Sequence, residues 1–288
     1  MKAVYLKELR SYFTGAVSYA CLTLMFLIAG IYTWAINLQG ASGSFEITVT
    51  NMSFWMCLLP VPLLTMRIFS EERRQKTDQL LYSLPLKMTQ VVLGKYFAAI
   101  TVLLVPVAVL GLYPLILSAF GNVNAASCYS VLFAFYLMGA ALVAVGVFIS
   151  SLVENQIVAA IGTAVIIFFN YFLPYIAEYA SGSAVSSVIF LVALGIVIGV
   201  IVFLMTKNYV AGLLTAAVLD FVLILTYYLK SEIFEGVIPS ALGAISLFDA
   251  LDVFAGGIFD LTGIVFYLSV AAVFIFLTVQ SLEKRRWA

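Results

Sequence analysis

Long stretches almost free of charge recur along this sequence, and they constrain its fold more than any other feature. Eight of them stand out, at roughly 16–37, 52–69, 94–120, 130–152, 156–177, 186–206, 209–229 and 262–282. A helix rises about 1.5 Å per residue, so about 20 apolar residues cross a hydrocarbon layer about 30 Å thick. In lipid the backbone must satisfy its own hydrogen bonds within the segment, which makes each run a helix. Strands of a membrane barrel would alternate apolar and polar residues, and these runs do not. The expected fold is therefore an all-α, polytopic membrane bundle over 1–288, with about eight spans. The weakest pair is 186–229, where Lys207 and Asn208 leave almost no loop. A tight helical hairpin is preferred there, and a re-entrant pair added to six spans is the alternative.

Composition supports a lipid solvent. The 288 residues are 64% hydrophobic and 10% charged, against roughly half and a quarter in soluble domains. The 14 basic and 14 acidic residues cancel, which argues against nucleic acid as a partner, since phosphate binding needs a concentrated basic face. The placement of charge is more telling. An even span count puts both termini on one side, together with the basic residues at 2–10, 67–95, 207 and 284–286; only Lys230 lies opposite. By the positive-inside rule both termini are expected in the cytoplasm. The apolar run after Lys2, Lys7 and Arg10 is too long for a cleaved signal, and no small-residue cleavage pattern follows it.

Cys21 and Cys57 fall inside apolar runs and Cys128 is expected in a short loop, with no paired spacing among them. A disulfide framework or metal site is not expected. Histidine is absent, which removes the commonest general base.

Three segments stand outside the runs. Residues 1–13 alternate Val4, Leu6, Leu9 and Phe13 with Lys2, Lys7, Glu8 and Arg10, as in a helix lying along the membrane interface. Residues 67–95 hold a charged helix in which Ser70 is expected to be the N-cap, Glu71 and Glu72 occupy the first turn, Leu80, Leu81 and Leu84 form an apolar stripe, and Pro85 ends it. Such a helix fits a partner's groove, or is simply a solvated positive loop. Residues 230–261 mix Glu232, Glu235, Asp249, Asp252 and Asp260 with apolar groups. Short helices against the outer leaflet are expected there.

Several stretches resemble the membrane subunits of type-2 ABC transporters, near the branch named for gliding motility. Lys7-Glu8-Leu9-Arg10-Ser11-Tyr12-Phe13 is similar to that family's elbow helix. Ser70-Glu71-Glu72-Arg73, Thr77 to Pro85 and Gly94-Lys95-Tyr96 are similar to its coupling-helix region. Ser150 to Gln156 resembles its middle cytoplasmic turn, and the stretches at 254–260 and 283–287 its last span and tail. The simplest members have six spans, fewer than the eight read here. The resemblance implies an exporter permease in the cytoplasmic membrane, paired with a second copy or a paralogue and driven by a separate ABC ATPase that holds the ATP. It places ATPase coupling at Glu71, Glu72, Arg73, Arg74, Asp78, Glu154 and Asn155. The motor itself is not expected in this chain, because no GxxxxGK[ST] loop occurs. Neither a catalytic site nor a cofactor of its own is expected.

Two intramembrane residues remain. Asp220 lies mid-run, where a carboxylate costs about 2.5–3.5 kcal/mol and must face protein or water. Asn170 can hydrogen-bond between helices. Asp220 is a substrate or proton contact on one reading and a packed, hydrogen-bonded residue on the other. It is also the coupling site of an alternative function, an ion-coupled secondary carrier. A second alternative, an intramembrane lipid-modifying enzyme, needs clustered acids or histidines. Gly195 with Gly199 and Ala140 with Ala144 have the spacing of close helix contacts. Prolines 60, 62, 106, 114 and 174 fall in or near the runs and can kink helices.

Overall fold

The computed structural model describes residues 1–40, 42–77, 87–119, 121, 123–179, 183–192, 196 and 209–287, and these are helical with no strand among them. α1 (Lys2–Thr14) is separated from α2 (Ala16–Tyr32) by Gly15 in extended backbone. α2 continues as a π-helical stretch, Thr33–Gln39. Then come α3 (Phe45–Leu58), α4 (Pro60–Thr65), α5 (Ser70–Arg74), α6 (Met88–Leu110) and α7 (Tyr113–Ser118). α8 (Ala125–Leu152), α9 (Gln156–Tyr179) and α10 (Tyr209–Leu229) follow, and α11 (Val237–Ile245), α12 (Leu247–Ala255) and α13 (Leu261–Trp287) complete the chain. Two compact units result: Met1–Tyr171 with Leu247–Ala288, and Phe172–Ser246.

Among the described residues, six helical segments are long and apolar enough to cross a membrane: Ala16–Gln39, Phe45–Arg74, Met88–Ser118, Ala125–Leu152, Gln156–Tyr179 and Leu261–Arg285. A seventh is reached if α11 and α12, broken at Ser246, form one span. The chain is thus an all-α polytopic membrane bundle. Of the two remaining expected runs, 209–229 is the helix α10, and most of 186–206 lies outside the described residues, as do Lys207, Asn208 and the Gly195–Gly199 pair.

Two boundaries differ from expectation for one reason. α3 begins at Phe45, several residues early, because its polar residues are satisfied by protein: Thr48 is fully buried and its hydroxyl donates to Asn37 Oδ1 at 2.6 Å. α8 begins at Ala125, so Cys128 is a buried helical residue and not a loop residue. Asn124 caps that helix by accepting the Ser127 amide.

α8 is the axis of the first unit. α3, α4, α6, α12 and α13 all pack on it. Small residues admit them. A Cβ on Gly139 would meet Leu103 Cδ2 at 2.7 Å, and one on Gly146 would collide with the Thr65 side chain. Ala140 and Ala144 are buried in the same row, and the Ala140 carbonyl accepts from Tyr96 Oη at 3.2 Å. The Cys21 thiol donates to the Pro60 carbonyl at 3.5 Å, which ties α2 to the start of α4.

Candidate functional site

The polar centre of the first unit is built where α1, the turn before α5 and the start of α6 meet. Lys95 lies in the second turn of α6 with 2% of its surface exposed. Burying an ammonium without partners is prohibitive, so its surroundings must supply acceptors. Three are present, one for each ammonium proton. Lys95 Nζ donates to Glu72 Oε1 at 2.8 Å, to the Ile68 carbonyl at 2.8 Å and to Glu8 Oε1 at 3.1 Å. The Phe69 ring lies 5.1 Å from the same nitrogen. Two carboxylates thus face one buried cation. The balancing charge is Lys7 at the rim, 3.9 Å from both carboxylates and largely solvated.

α1 is held in place by the residues that turn inward. A Cβ on Gly94 would lie 3.2 Å from Val4, so glycine lets α1 lie close on α6. Tyr5 Oη pairs with Thr101 Oγ1 at 3.2 Å, and Tyr12 Oη donates to the Leu64 carbonyl at 3.0 Å. Burial, with the Glu8 carboxylate adding to it, pushes the Tyr12 phenol far above its ordinary value, so it remains a donor.

α5 departs from the sequence expectation at both ends. Ser70 does not cap it; its hydroxyl donates back to the Met66 carbonyl. The capping oxygen comes from α8: Ser150 Oγ accepts the Phe69 amide at 3.1 Å and the Ser70 amide at 3.2 Å. A buried serine from a distant helix thus does what a local one was expected to do. At its other end α5 stops at Arg74, well before Pro85. Lys76 takes a left-handed conformation (φ 55°), with Lys76 N on the Arg73 carbonyl and Thr77 N on the Glu72 carbonyl, each at 2.9 Å. This is the Schellman pattern, made here without glycine. Asp78, Leu80, Leu81, Leu84 and Pro85 lie outside the described residues.

Two clefts flank α5. One, of about 510 Å³, opens onto Glu8, Arg67, Glu71, Glu72 and Lys95. The other, of about 590 Å³, brings Arg73, Arg74 and Lys76 together with Glu154, Asn155 and Gln156. Six residues chosen from two separate sequence stretches, Glu71, Glu72, Arg73, Arg74, Glu154 and Asn155, therefore surround one short helix. Arg73 is buried, whereas Arg74, Glu154 and Asn155 are exposed. Asn155 also caps α9, its Oδ1 accepting the Ile157 amide at 2.9 Å. Beside it, Arg285 of α13 donates to the Leu152 carbonyl at 3.0 Å, an acceptor left open at the end of α8.

The two intramembrane candidates lie elsewhere. Asn170, in α9, accepts the Leu247 amide at 2.9 Å and so holds the start of α12. Asp220 belongs to the second unit, half-buried on α10, and its Oδ1 has no hydrogen-bond partner among the described residues. Sequence reasoning did not single out Lys95, its partner Glu8, or Ser150 as site residues. A lysine inside an apolar run was the available signal for the first; the other two act across 80 or more residues.

Residues 8–185, more than half of the chain, match the family described as ABC-2 family transporter protein. That range includes Glu8, Glu72, Lys95, Ser150 and Asn155 and ends before Asp220. No curated protein matches the chain.

Proposed function

Because this chain belongs to the ABC-2 transporter family, a group of membrane transport subunits, we propose that it is the permease of an exporter whose separate ATPase docks around α5. The chain forms the membrane subunit, and the ATPase chain carries the nucleotide. Both termini and α5 then face the cytoplasm, in the cell's cytoplasmic membrane, and a second copy or a paralogue completes the substrate path.

The observation that carries this reading is Lys95 tied at once to Glu72 and Glu8. A partner that moves α5 pulls on Glu72 directly. Because the ammonium is buried and fully bonded, separating it from the carboxylate costs several kcal/mol, on the order of a buried pair left open. Moving α6 and α1 along with α5 is cheaper. Motion at the surface is thereby delivered to a span. The exposed residues Arg74, Glu154 and Asn155 offer charge and hydrogen bonds to the docking face.

The test is to co-express the chain with an ATPase of the ABC class and purify either partner. We expect the two to co-purify, and cysteines placed at Arg74 and Glu154 to cross-link to the ATPase. Reversing Glu71 and Glu72 together should uncouple ATP hydrolysis from substrate transport. Labelling of the Arg74 cysteine from outside intact cells, or hydrolysis unaffected by the reversal, defeats the proposal. A second reading, an ion-coupled carrier using Asp220, is favoured by Asp220 Oδ1, which has no hydrogen-bond partner among the described residues. It requires transport driven by a proton gradient with no ATPase bound and abolished in Asp220→Asn.

A further inference from the structure

We propose that the outward face of α1 binds an anionic phospholipid of the adjoining leaflet. This goes beyond the ATPase reading and needs neither partner nor nucleotide.

α1 has two faces of opposite character. Val4, Tyr5, Glu8 and Tyr12 turn toward the protein, where they engage Gly94, Thr101, Lys95 and Leu64. Lys2, Leu6, Lys7, Arg10 and Phe13 are exposed. Glu8 is the helix's one acidic residue, and Lys95 holds it inward at 3.1 Å. The outward face is therefore basic and apolar; Lys7 at its edge lies 3.9 Å from Glu8 and Glu72, so Arg10 is the cation of this face with no acid beside it among the described residues. It carries a crevice of about 620 Å³ lined by Leu6, Lys7, Leu9, Arg10 and Phe13.

The position of the crevice identifies its occupant. One residue, Gly15, separates α1 from the span Ala16–Gln39. Tyr19, in the first turn of that span, is exposed and donates through Oη to the Phe13 carbonyl at 2.8 Å. Tyrosines with an apolar ring and a bonded hydroxyl settle at the headgroup boundary. Phe13 then lies at the edge of the hydrocarbon, with Arg10 and Lys7 about one and two turns out among the phosphates. Leu6 and Phe13, 51% and 39% exposed, meet the upper acyl chain. A phosphate with net negative charge, joined to a hydrocarbon tail, complements the crevice throughout. A zwitterionic headgroup leaves Arg10 uncompensated.

The full chain, purified in detergent and offered equal phosphatidylglycerol and phosphatidylcholine, should retain the anionic lipid in preference when examined by intact-complex mass spectrometry. Each cation near such a surface is worth about fivefold in binding, so Arg10→Gln should cut the preference about fivefold, while Arg10→Lys should keep it. Added salt should weaken the preference. Among the described residues Arg10 makes no side-chain link in the polar centre, so the variant should elute and melt as the parent does. Equal retention of the two lipids by the parent, or an unchanged preference in a folded Arg10→Gln variant, overturns the proposal. The second result is the one expected if this face is reserved for an acidic protein. If no ATPase ever binds the chain, the lipid result stands unaffected.

Discussion

α8 and α9 are neighbours in sequence, joined by Val153–Asn155, and both are long and apolar, with Glu178 near the end of α9 the one charge in the two helices. Yet 78% of the apolar window of α8 is buried inside the protein and only 17% of that of α9. Hydropathy cannot separate them, because it measures how well a helix tolerates lipid and not whether lipid reaches it. Side-chain size can. α8 runs Gly139-Ala140-Ala141 to Ala144, Gly146, Ser150 and Ser151, a stripe that lets other helices close on it. α9 presents Ile157, Val158, Ile161, Val165, Phe168 and Phe169 outward. Its large residues have room where none of the described residues packs on them.

That contrast can be broken by a graded set of substitutions, each read by thermal unfolding in detergent. The largest effect is expected at the charged junction beside α8. Lys95→Met leaves Glu8 and Glu72 facing each other without their cation and should cost about 3–5 kcal/mol. Neutralising all three, as Glu8→Gln, Glu72→Gln and Lys95→Met together, should recover most of that stability while leaving transport uncoupled. Next comes Gly146→Leu, which forces a side chain onto Thr65 and should cost about 1–3 kcal/mol. Ser150→Ala strands two buried amides at the start of α5, with a loss of about 1–3 kcal/mol. Asn155→Ala, the cap of α9, should cost about 1 kcal/mol. At the far end, Phe169→Ala should change stability by less than about 0.5 kcal/mol. If Phe169→Ala is instead as costly as Gly146→Leu, and the loss depends on protein concentration, then α9 is covered by a second copy and the contrast holds only within one chain.

Acidification gives the mildest perturbation, at the start of α13. Asp260 Oδ1 accepts the Thr262 amide at 2.9 Å and Oδ2 the Gly263 amide at 3.2 Å. These bonds favour the ionised form and hold the carboxyl below its ordinary value. Its contribution is therefore present above the ordinary carboxylate range and is lost as pH falls through the lowered value. Asp260→Asn should flatten that part of the stability profile, and an unchanged acid limb would show that the cap matters little.

The class of the helices was legible because lipid imposes a length and a polarity that single segments carry by themselves; the count was less so, since eight runs were expected and six helical segments among the described residues, or seven with the bent pair, are long and apolar enough to span. Their arrangement was less legible still. Nothing near Glu8 announces that its partner lies 87 residues away, and the local rule that made Ser70 the cap of α5 had no means of weighing Ser150. Glu71, Glu72, Arg73 and Arg74 were singled out by the resemblance to type-2 ABC subunits, since their charge alone fits a solvated positive loop as well as a docking helix. Lys95 fell within the same resemblance, yet it was counted with the loop charges that set orientation. The early start of α3 was hidden because buried hydrogen bonds make Thr48 and Asn37 as acceptable in a helix pair as apolar groups. In each case a local pattern gave the element and a distant partner gave its role.

An ammonium with three protons and three oxygens around it has no spare bond to trade while it moves. Partial loosening of α5 brings no new partner to compensate, so the junction should behave as a latch with two positions and little between them. Arginine would not substitute, since its flat fork spreads its donors in one plane where lysine directs them about a point. On the proposed coupling role, a pull on α5 reaches α6 as a step, with a threshold set by how tightly one lysine is gripped.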